Sequence, residues 1–122
     1  MFFVESKITV GDNSGGRLGK CVKPLGNKRL FAVVGELVLL SMKKVYARKK
    51  VKKGTISKAV IVQGASWFWR ELVHCYRCHA WCCVLLKKDG YTPKATRIKL
   101  PVAFELYNAV QIRALLMANY RI

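Results

Sequence analysis

Between Lys43 and Lys58 the chain carries Lys43, Lys44, Arg48, Lys49, Lys50, Lys52, Lys53 and Lys58 without one acidic residue. A block of a single sign repels itself and resists compaction unless a polyanion neutralises it. Apolar runs stand on both sides, Leu37-Val38-Leu39-Leu40 before it and Ala59-Val60-Ile61-Val62 after it, with Gly54 between. Short apolar runs bounded by a polar, glycine-bearing stretch are strand signals. The pattern predicts strand, basic excursion, strand, with the charge held on a loop that a sheet supports. Such a loop points to nucleic acid as its partner.

The rest of the composition allows a core beneath that charge. The chain is 52% hydrophobic with a net charge of +17 over 122 residues, which suits one domain spanning residues 1–122 and excludes a disordered basic tail. An anionic membrane is the competing partner. The longest uncharged run, Ala59 to Trp69, is broken by Gln63, Gly64 and Ser66 and is far shorter than the roughly 20 apolar residues a membrane span needs. Met1-Phe2-Phe3-Val4-Glu5-Ser6 has neither the basic start and long apolar region of a secretory signal nor the Arg- and Ser-rich character of a transit peptide. No cleavable address is therefore expected. The cysteines, Cys21, Cys75, Cys78, Cys82 and Cys83, are odd in number and mostly clustered, which fits a reducing interior better than a secreted disulfide framework.

Apolar or alternating segments at Lys7 to Val10, Cys21 to Lys23, Leu30 to Val34, Leu37 to Met42, Ile56 to Gln63, Val73 to Leu86 and Thr96 to Val102 predict strands. Between them lie the turn clusters Gly11-Asp12-Asn13-Ser14-Gly15-Gly16 and Pro24-Leu25-Gly26-Asn27, then Gly35, Gly54 and Asp89-Gly90. Short strands with regular turns make a mainly β domain, and a small barrel closes such strands most simply. After Pro101 the spacing of Phe104, Leu106, Val110, Ile112, Leu115 and Leu116 predicts one or two short C-terminal helices.

Three constellations bear on chemistry. Gly11 to Arg17 offers backbone N–H groups and donors from Asn13, Ser14 and Arg17 suited to phosphate and 2′-hydroxyl oxygens; an ordinary Asx-turn between strands is the alternative. In the basic block, lysines act as point charges on phosphates, whereas Arg17, Arg48 and Arg97 can also fork onto phosphates or stack on bases. The third is His74-Cys75-Tyr76-Arg77-Cys78-His79 with Cys82-Cys83. Cys75-x-x-Cys78-His79 matches a c-type haem attachment pattern and, with Cys82, supplies zinc-type ligands, so a small zinc or haem redox protein is the rival reading. If Val73 to Leu86 is one strand, however, Cys75 and Cys78 point to opposite faces and cannot share an ion. These are then core or strand cysteines, with no metal and no cofactor. Trp67-Phe68-Trp69, expected where a β-excursion turns, either contacts a partner or packs locally. No carboxylate pair, Ser/His/Asp set or activated nucleophile emerges, so no catalytic residue and no small-molecule substrate are expected. An architectural DNA-binding protein shares the charge argument.

The order of motifs adds a resemblance. Val10-Gly11-Asp12-Asn13-Ser14-Gly15-Gly16-Arg17, then Cys21, Val34-Gly35-Glu36, Lys50-Val51-Lys52-Lys53-Gly54, Lys58-Ala59-Val60-Ile61-Val62, Cys82-Cys83-Val84-Leu85-Leu86, Pro93-Lys94-Ala95-Thr96-Arg97-Ile98, Pro101-Val102 and Glu105-Leu106 resemble the universal large-subunit ribosomal protein fourteen family over nearly the whole chain. The resemblance implies a five-stranded β-barrel with a projecting β-ribbon and short C-terminal helices, bound to large-subunit rRNA near the intersubunit face. It also implies bridges to small-subunit rRNA, large-subunit proteins three and nineteen as neighbours, and a subunit-joining silencing factor as a further partner. RNA contact carries over onto Asn13, Ser14, Arg17, Lys50, Lys52, Lys53 and Arg97, while Lys43, Lys44, Arg48, Lys49 and Lys58 rest on charge. Where the family has a basic, glycine-containing hairpin, this chain has Ala65-Ser66-Trp67-Phe68-Trp69-Arg70-Glu71-Leu72. Other departures are His79-Ala80-Trp81 before the cysteine strand, and Ala95 and Leu100 at usual glycines. This drift, with its Cys, Trp and Phe, suggests an organelle-encoded mitochondrial protein, with plastid and bacterial cytoplasm as alternatives.

Overall fold

Alternation of inward and outward side chains sets the strands in the computed structural model, which describes residues 1–26, 30–69, 75–106 and 112–121. Among them the strands are β1 (Phe2–Phe3), β2 (Lys7–Val10), β3 (Gly16–Leu25), β4 (Phe31–Ala32), β5 (Leu37–Val45), β6 (Ile56–Gln63), β7 (Phe68–Trp69), β8 (Cys75–Tyr76) and β9 (Cys82–Leu85). A 3₁₀ turn at Phe104–Leu106 and a short helix α1 (Ile112–Met117) follow. In β5, Val38, Leu40 and Met42 are fully buried while Leu37, Leu39 and Ser41 are only half-buried, the period of two of a strand with one face on a core. In β6 and β9, by contrast, Ala59 to Gln63 and Cys82 to Leu85 are buried without interruption. β6 is met from the far side too, where Ala103 N–H donates to Val62 C=O at 3.1 Å and the Gln63 side-chain Nε2 to Pro101 C=O at 2.6 Å. Continuous apolar runs belong to strands covered on both faces.

Five strands close a barrel in the order β2-β3-β5-β6-β9, and the closing pair, β2 with β9, is parallel. Closure removes the sheet edges that would otherwise invite aggregation. The core holds Ile8, Cys21, Val38, Leu40, Met42, Ile61, Val84 and Leu85, with Leu106, Ala114 and Leu115 from the C-terminal segment in the same cluster. A separate two-stranded ribbon pairs Phe68 with Tyr76 and Trp69 with Cys75. The mainly β barrel with ribbon and short C-terminal helical turns is therefore the observed fold.

Several expected strands change. The segment Val73 to Leu86 is not one strand: its described part divides into β8 and β9, with Arg77 to Trp81 between them outside any strand, and Val73 and His74 lie outside the described residues. The division has a local cause. Cys78 N–H donates to Gly64 C=O at 3.3 Å and Arg77 Nε to Ala65 C=O at 2.8 Å, so the chain is tied across the base of the ribbon instead of continuing its ladder. Thr96 to Val102 forms only isolated bridges at Ile98 and Val102. Here the amides of Thr96 and Arg97 are taken by Asn13 Oδ1, both at 3.1 Å, and Pro101 has no N–H to give. Leu30 to Val34 shrinks to β4, because Val33 N–H is captured by Glu36 Oε2 at 3.1 Å. Phe68 and Trp69 lie in a strand, where a turn was expected. Asn27 and Val110, each part of an expected turn or helix, fall outside the described residues.

Candidate nucleic-acid interface

Residues 46–55 arch between β5 and β6, and the barrel fixes both feet of the arch. Met42 N–H donates to Thr55 C=O at 3.0 Å and Gly54 N–H to Met42 C=O at 2.8 Å; Gly54 has the left-handed φ of 83° that suits a residue without a side chain. Val51, 7% exposed, is the arch's apolar anchor in the core. Arg48 also sits at positive φ, 62°, a conformation that costs a non-glycine residue about 1 kcal/mol. The lysines and arginine of the arch are exposed.

The glycine turn supports the arch from below. Gly15 has φ 112°, and a Cβ there would overlap Lys49 Cβ, so the two loops touch at a point only glycine allows. Tyr46 N–H donates to Gly15 C=O at 2.8 Å, and the Arg17 guanidinium lies 5.9 Å from the centroid of the Tyr46 ring, within cation–π range. Asp12, 5% exposed, holds the turn itself. Its Oδ1 accepts from Ser14 N–H at 2.9 Å and from the Ser14 hydroxyl, and its Oδ2 accepts from Leu85 N–H at 3.0 Å on β9. Asn13 turns the other way: Oδ1 accepts from Thr96 and Arg97 N–H, and Nδ2 donates to Thr96 Oγ1 at 3.0 Å. The Asx-turn is thus real, and the side-chain groups of Asn13 and Ser14 make these bonds within the protein.

Barrel closure assembles a groove of about 660 Å³ from these parts. Arg48, Lys49, Lys50 and Lys52 line it from the arch, Asn13 and Ser14 from the turn, and Lys87, Lys94 and Thr96 from the segment after β9. Lys94 Nζ donates to Ser57 Oγ at 3.0 Å on β6, which holds its ammonium at the groove. Among the sequence-derived candidates, Arg17 stands at the foot of the arch, Lys43 and Lys44 are exposed on β5, Lys53 is exposed on the arch, and Arg97 is exposed beside Asn13. Lys58 is half-buried and donates to Lys88 C=O at 3.0 Å. Lys87 and Lys94 escape sequence reasoning based on the local charge run. Lys94 lies within the Pro93-Lys94-Ala95-Thr96-Arg97-Ile98 match, from which only Arg97 is carried over as an RNA contact, and Lys87 lies in no matched motif.

The electrostatics follow from where the acids go. Glu5 ion-pairs with Lys20, which lowers its pKa. Asp12 is spent on the turn, Glu36 on Val33 N–H, and Glu105 accepts from Tyr76 Oη at 2.8 Å. Asp89 accepts from Tyr91 N–H, Thr92 N–H and the Thr92 hydroxyl, which pulls its pKa down to about 2. No described carboxylate lines the groove, so its cations are left for an outside anion to neutralise.

The cysteines form no comparable site. Cys75 is exposed, Cys78 half-buried, and Cys82 and Cys83 are in the barrel wall. Burial pushes the thiols of Cys78, Cys82 and Cys83 up, away from the thiolate that binds metal. Among the described residues no three His, Cys, Asp or Glu side chains come together as a metal site; His74 lies outside them. The opposite-faces argument lapses with the broken strand, and the zinc or haem reading finds no cluster of ligands among the described residues to support it. No described helix is long and apolar enough to cross a membrane. In the ribbon, Trp67 and Trp69 are 60% and 76% exposed.

The closed five-stranded barrel, the glycine turn beneath a lysine arch and the acid-free groove agree with comparison against known families. The family model described as ribosomal protein L14p/L23e matches residues 1–122. The chain belongs to this family, whose members are structural proteins of the large ribosomal subunit.

Proposed function

We propose that the chain binds large-subunit rRNA near the intersubunit face, through the groove and the lysines around it, as a structural constituent with no catalytic step. The observation that carries this reading is the meeting of Arg48, Lys49, Lys50, Lys52, Lys87 and Lys94 at one groove from which every described carboxylate is absent. Folded rRNA brings phosphates into mutual repulsion, and fixed cations relieve it while releasing condensed counterions. Lys43, Lys44, Lys53, Lys58 and Arg97 extend the positive surface beyond the groove. Arg17 on the Tyr46 ring offers a flat cation for ribose or base. Asn13 and Ser14 contribute by shaping the turn under the arch.

Family membership supports bridges to small-subunit rRNA, and neighbours such as large-subunit proteins three and nineteen and a subunit-joining silencing factor, as further parts of this reading. The exposed Trp67 and Trp69, with Phe68 between them, are the surface for such a neighbour. The Cys, Trp and Phe content, and aromatics in place of a basic hairpin, support a mitochondrial ribosome as the location.

Ultraviolet cross-linking of isolated large subunits tests the central reading. Peptides covering Arg48–Lys53 and Lys87–Arg97 should carry cross-linked nucleotides of large-subunit rRNA. Cross-links from this chain confined to the opposite end of the barrel would overturn it. Fractionation tests location: recovery in a non-organellar ribosome would exclude the mitochondrial assignment.

A further inference from the structure

The dimensions and lining of the groove constrain which form of RNA it accepts, an inference that rests on the rRNA reading above. Its volume of about 660 Å³ is on the scale of sites that enclose drug-sized ligands, roughly 300–1,000 Å³. About two nucleotides fill such a space, whereas a duplex has a wide shallow groove and a deep narrow one and meets a protein mainly by its outer backbone. The lining is two-sided. Arg48, Lys50 and Lys52 come from the arch, and Lys87 and Lys94 from a segment separated from it by the whole of β6 and β9. Apolar Val51, Ile56 and Ala95 line the same groove, and of these Ile56 is the exposed one, at 63%. Cations from two segments together with an exposed apolar side chain in one groove match a single strand, in which phosphates alternate with ribose and an unstacked base face.

The ammonium of Lys94 is also pre-positioned. Its bond to Ser57 Oγ, 3.0 Å, ties it to a residue only 6% exposed on the rigid barrel, so less side-chain freedom is lost when a phosphate arrives. Within the arch, Thr55 Oγ1 donates to Lys52 C=O at 2.7 Å.

We propose that the groove seats one unpaired strand of rRNA, about two nucleotides long, its phosphates held between the arch cations and the Lys87–Lys94 pair and its sugar or base face over Ile56. Duplex RNA, on this account, meets the exposed lysines outside the groove and does not enter it.

The test compares two probes on the full chain: an oligouridylate decamer, which has no self-structure, and a blunt twenty-base-pair RNA duplex. The variants are Lys87→Gln with Lys94→Gln for the groove, and Lys43→Gln with Lys44→Gln for the surface outside it, each checked by circular dichroism for an unchanged fold. The groove pair should weaken decamer binding about tenfold while changing duplex binding less than about threefold, and the β5 pair should weaken both probes alike. Lys94→Arg, which keeps the charge, should retain most of the decamer affinity in the Lys87 wild-type background. Equal losses on both probes with the groove pair would overturn the single-strand assignment and leave rRNA binding standing. If the wild-type chain binds neither probe nor large-subunit rRNA at low salt, the rRNA reading fails and the assignment fails with it.

Discussion

The arch at residues 46–55 and the ribbon that begins after Gln63 leave opposite ends of the same strand, β6, and they have been given opposite chemistry. The arch side carries lysine after lysine with no acid. From Ala59 to Leu86 there is no lysine at all, and Trp67 and Trp69 stand in solvent. Both excursions are tied down at their feet, the arch to Met42 and Gly15, the ribbon by Arg77 and Cys78 to Ala65 and Gly64 and by Tyr76 to Glu105. Anchoring is therefore shared, and what differs is the surface presented. Interfaces between proteins are depleted in lysine and enriched in tryptophan and arginine, and interfaces to a phosphate backbone are the reverse in lysine. One rigid barrel thus holds two loops suited to different neighbours.

The largest expected effect is a blow to the support of the arch. Asp12→Ala leaves the amides of Ser14 and Leu85 without their acceptor inside the fold and should cost about 3 kcal/mol in denaturant unfolding. Hydrogen exchange should quicken at the Tyr46 amide, which depends on the glycine turn, more than at the Cys78 amide at the foot of the ribbon. Equal quickening at both would show that the two regions are not independently held.

Tyr76→Phe is the reciprocal perturbation. Removing the hydroxyl that reaches Glu105 should cost about 1 kcal/mol, raise exchange around β8, and leave rRNA affinity unchanged. Arg48→Gly separates stability from function within the arch. Relief of the φ of 62° should leave stability unchanged or raise it by less than about 1 kcal/mol, while rRNA binding weakens through the lost charge. A fall in melting temperature there would mean that Arg48 packs more than it strains.

The smallest effect concerns the loop carrying Lys87 and Lys94. The Asp89 carboxylate is held near pH 2 against an ordinary 3.8 by the amides of Tyr91 and Thr92. Because its folded pKa is depressed, its contribution is present above 3.8 and is lost as pH falls from there to about 2. The amide resonances of Tyr91 and Thr92 should titrate in that window, and those of the ribbon should not follow.

How far these features were legible depends on how local they are. β2 and β6 fall on the residues that the apolar runs marked, Lys7–Val10 and Ile56–Gln63, since alternation and burial are properties of the segment itself. The lysine arch was legible because unneutralised charge is visible in one dimension. Lys87 and Lys94 were not, because they join the groove only through closure, where Leu86 N–H reaches Lys58 C=O at 2.8 Å across two strands. The broken strand after Cys75 and the strand missing at Thr96 to Val102 failed for the same reason: side chains and carbonyls distant in sequence, Asn13 and Gly64 among them, claimed amides that local pattern had assigned to a ladder. The ribbon tryptophans were visible in the sequence, but their exposure was not.

The division of labour between arch and ribbon is tested most directly by the salt dependence of binding to large-subunit rRNA. Three forms are compared: the wild-type chain, Lys50→Gln with Lys52→Gln and Lys53→Gln, and Trp67→Ala with Trp69→Ala. Each lysine that neutralises a phosphate contributes roughly 0.7 to 0.9 to the slope of log affinity against log salt. The triple arch variant should therefore flatten that slope by about two to three units, and the tryptophan variant should leave it where it was. An unchanged slope in the arch variant, or an equal loss in the ribbon variant, would contradict the account.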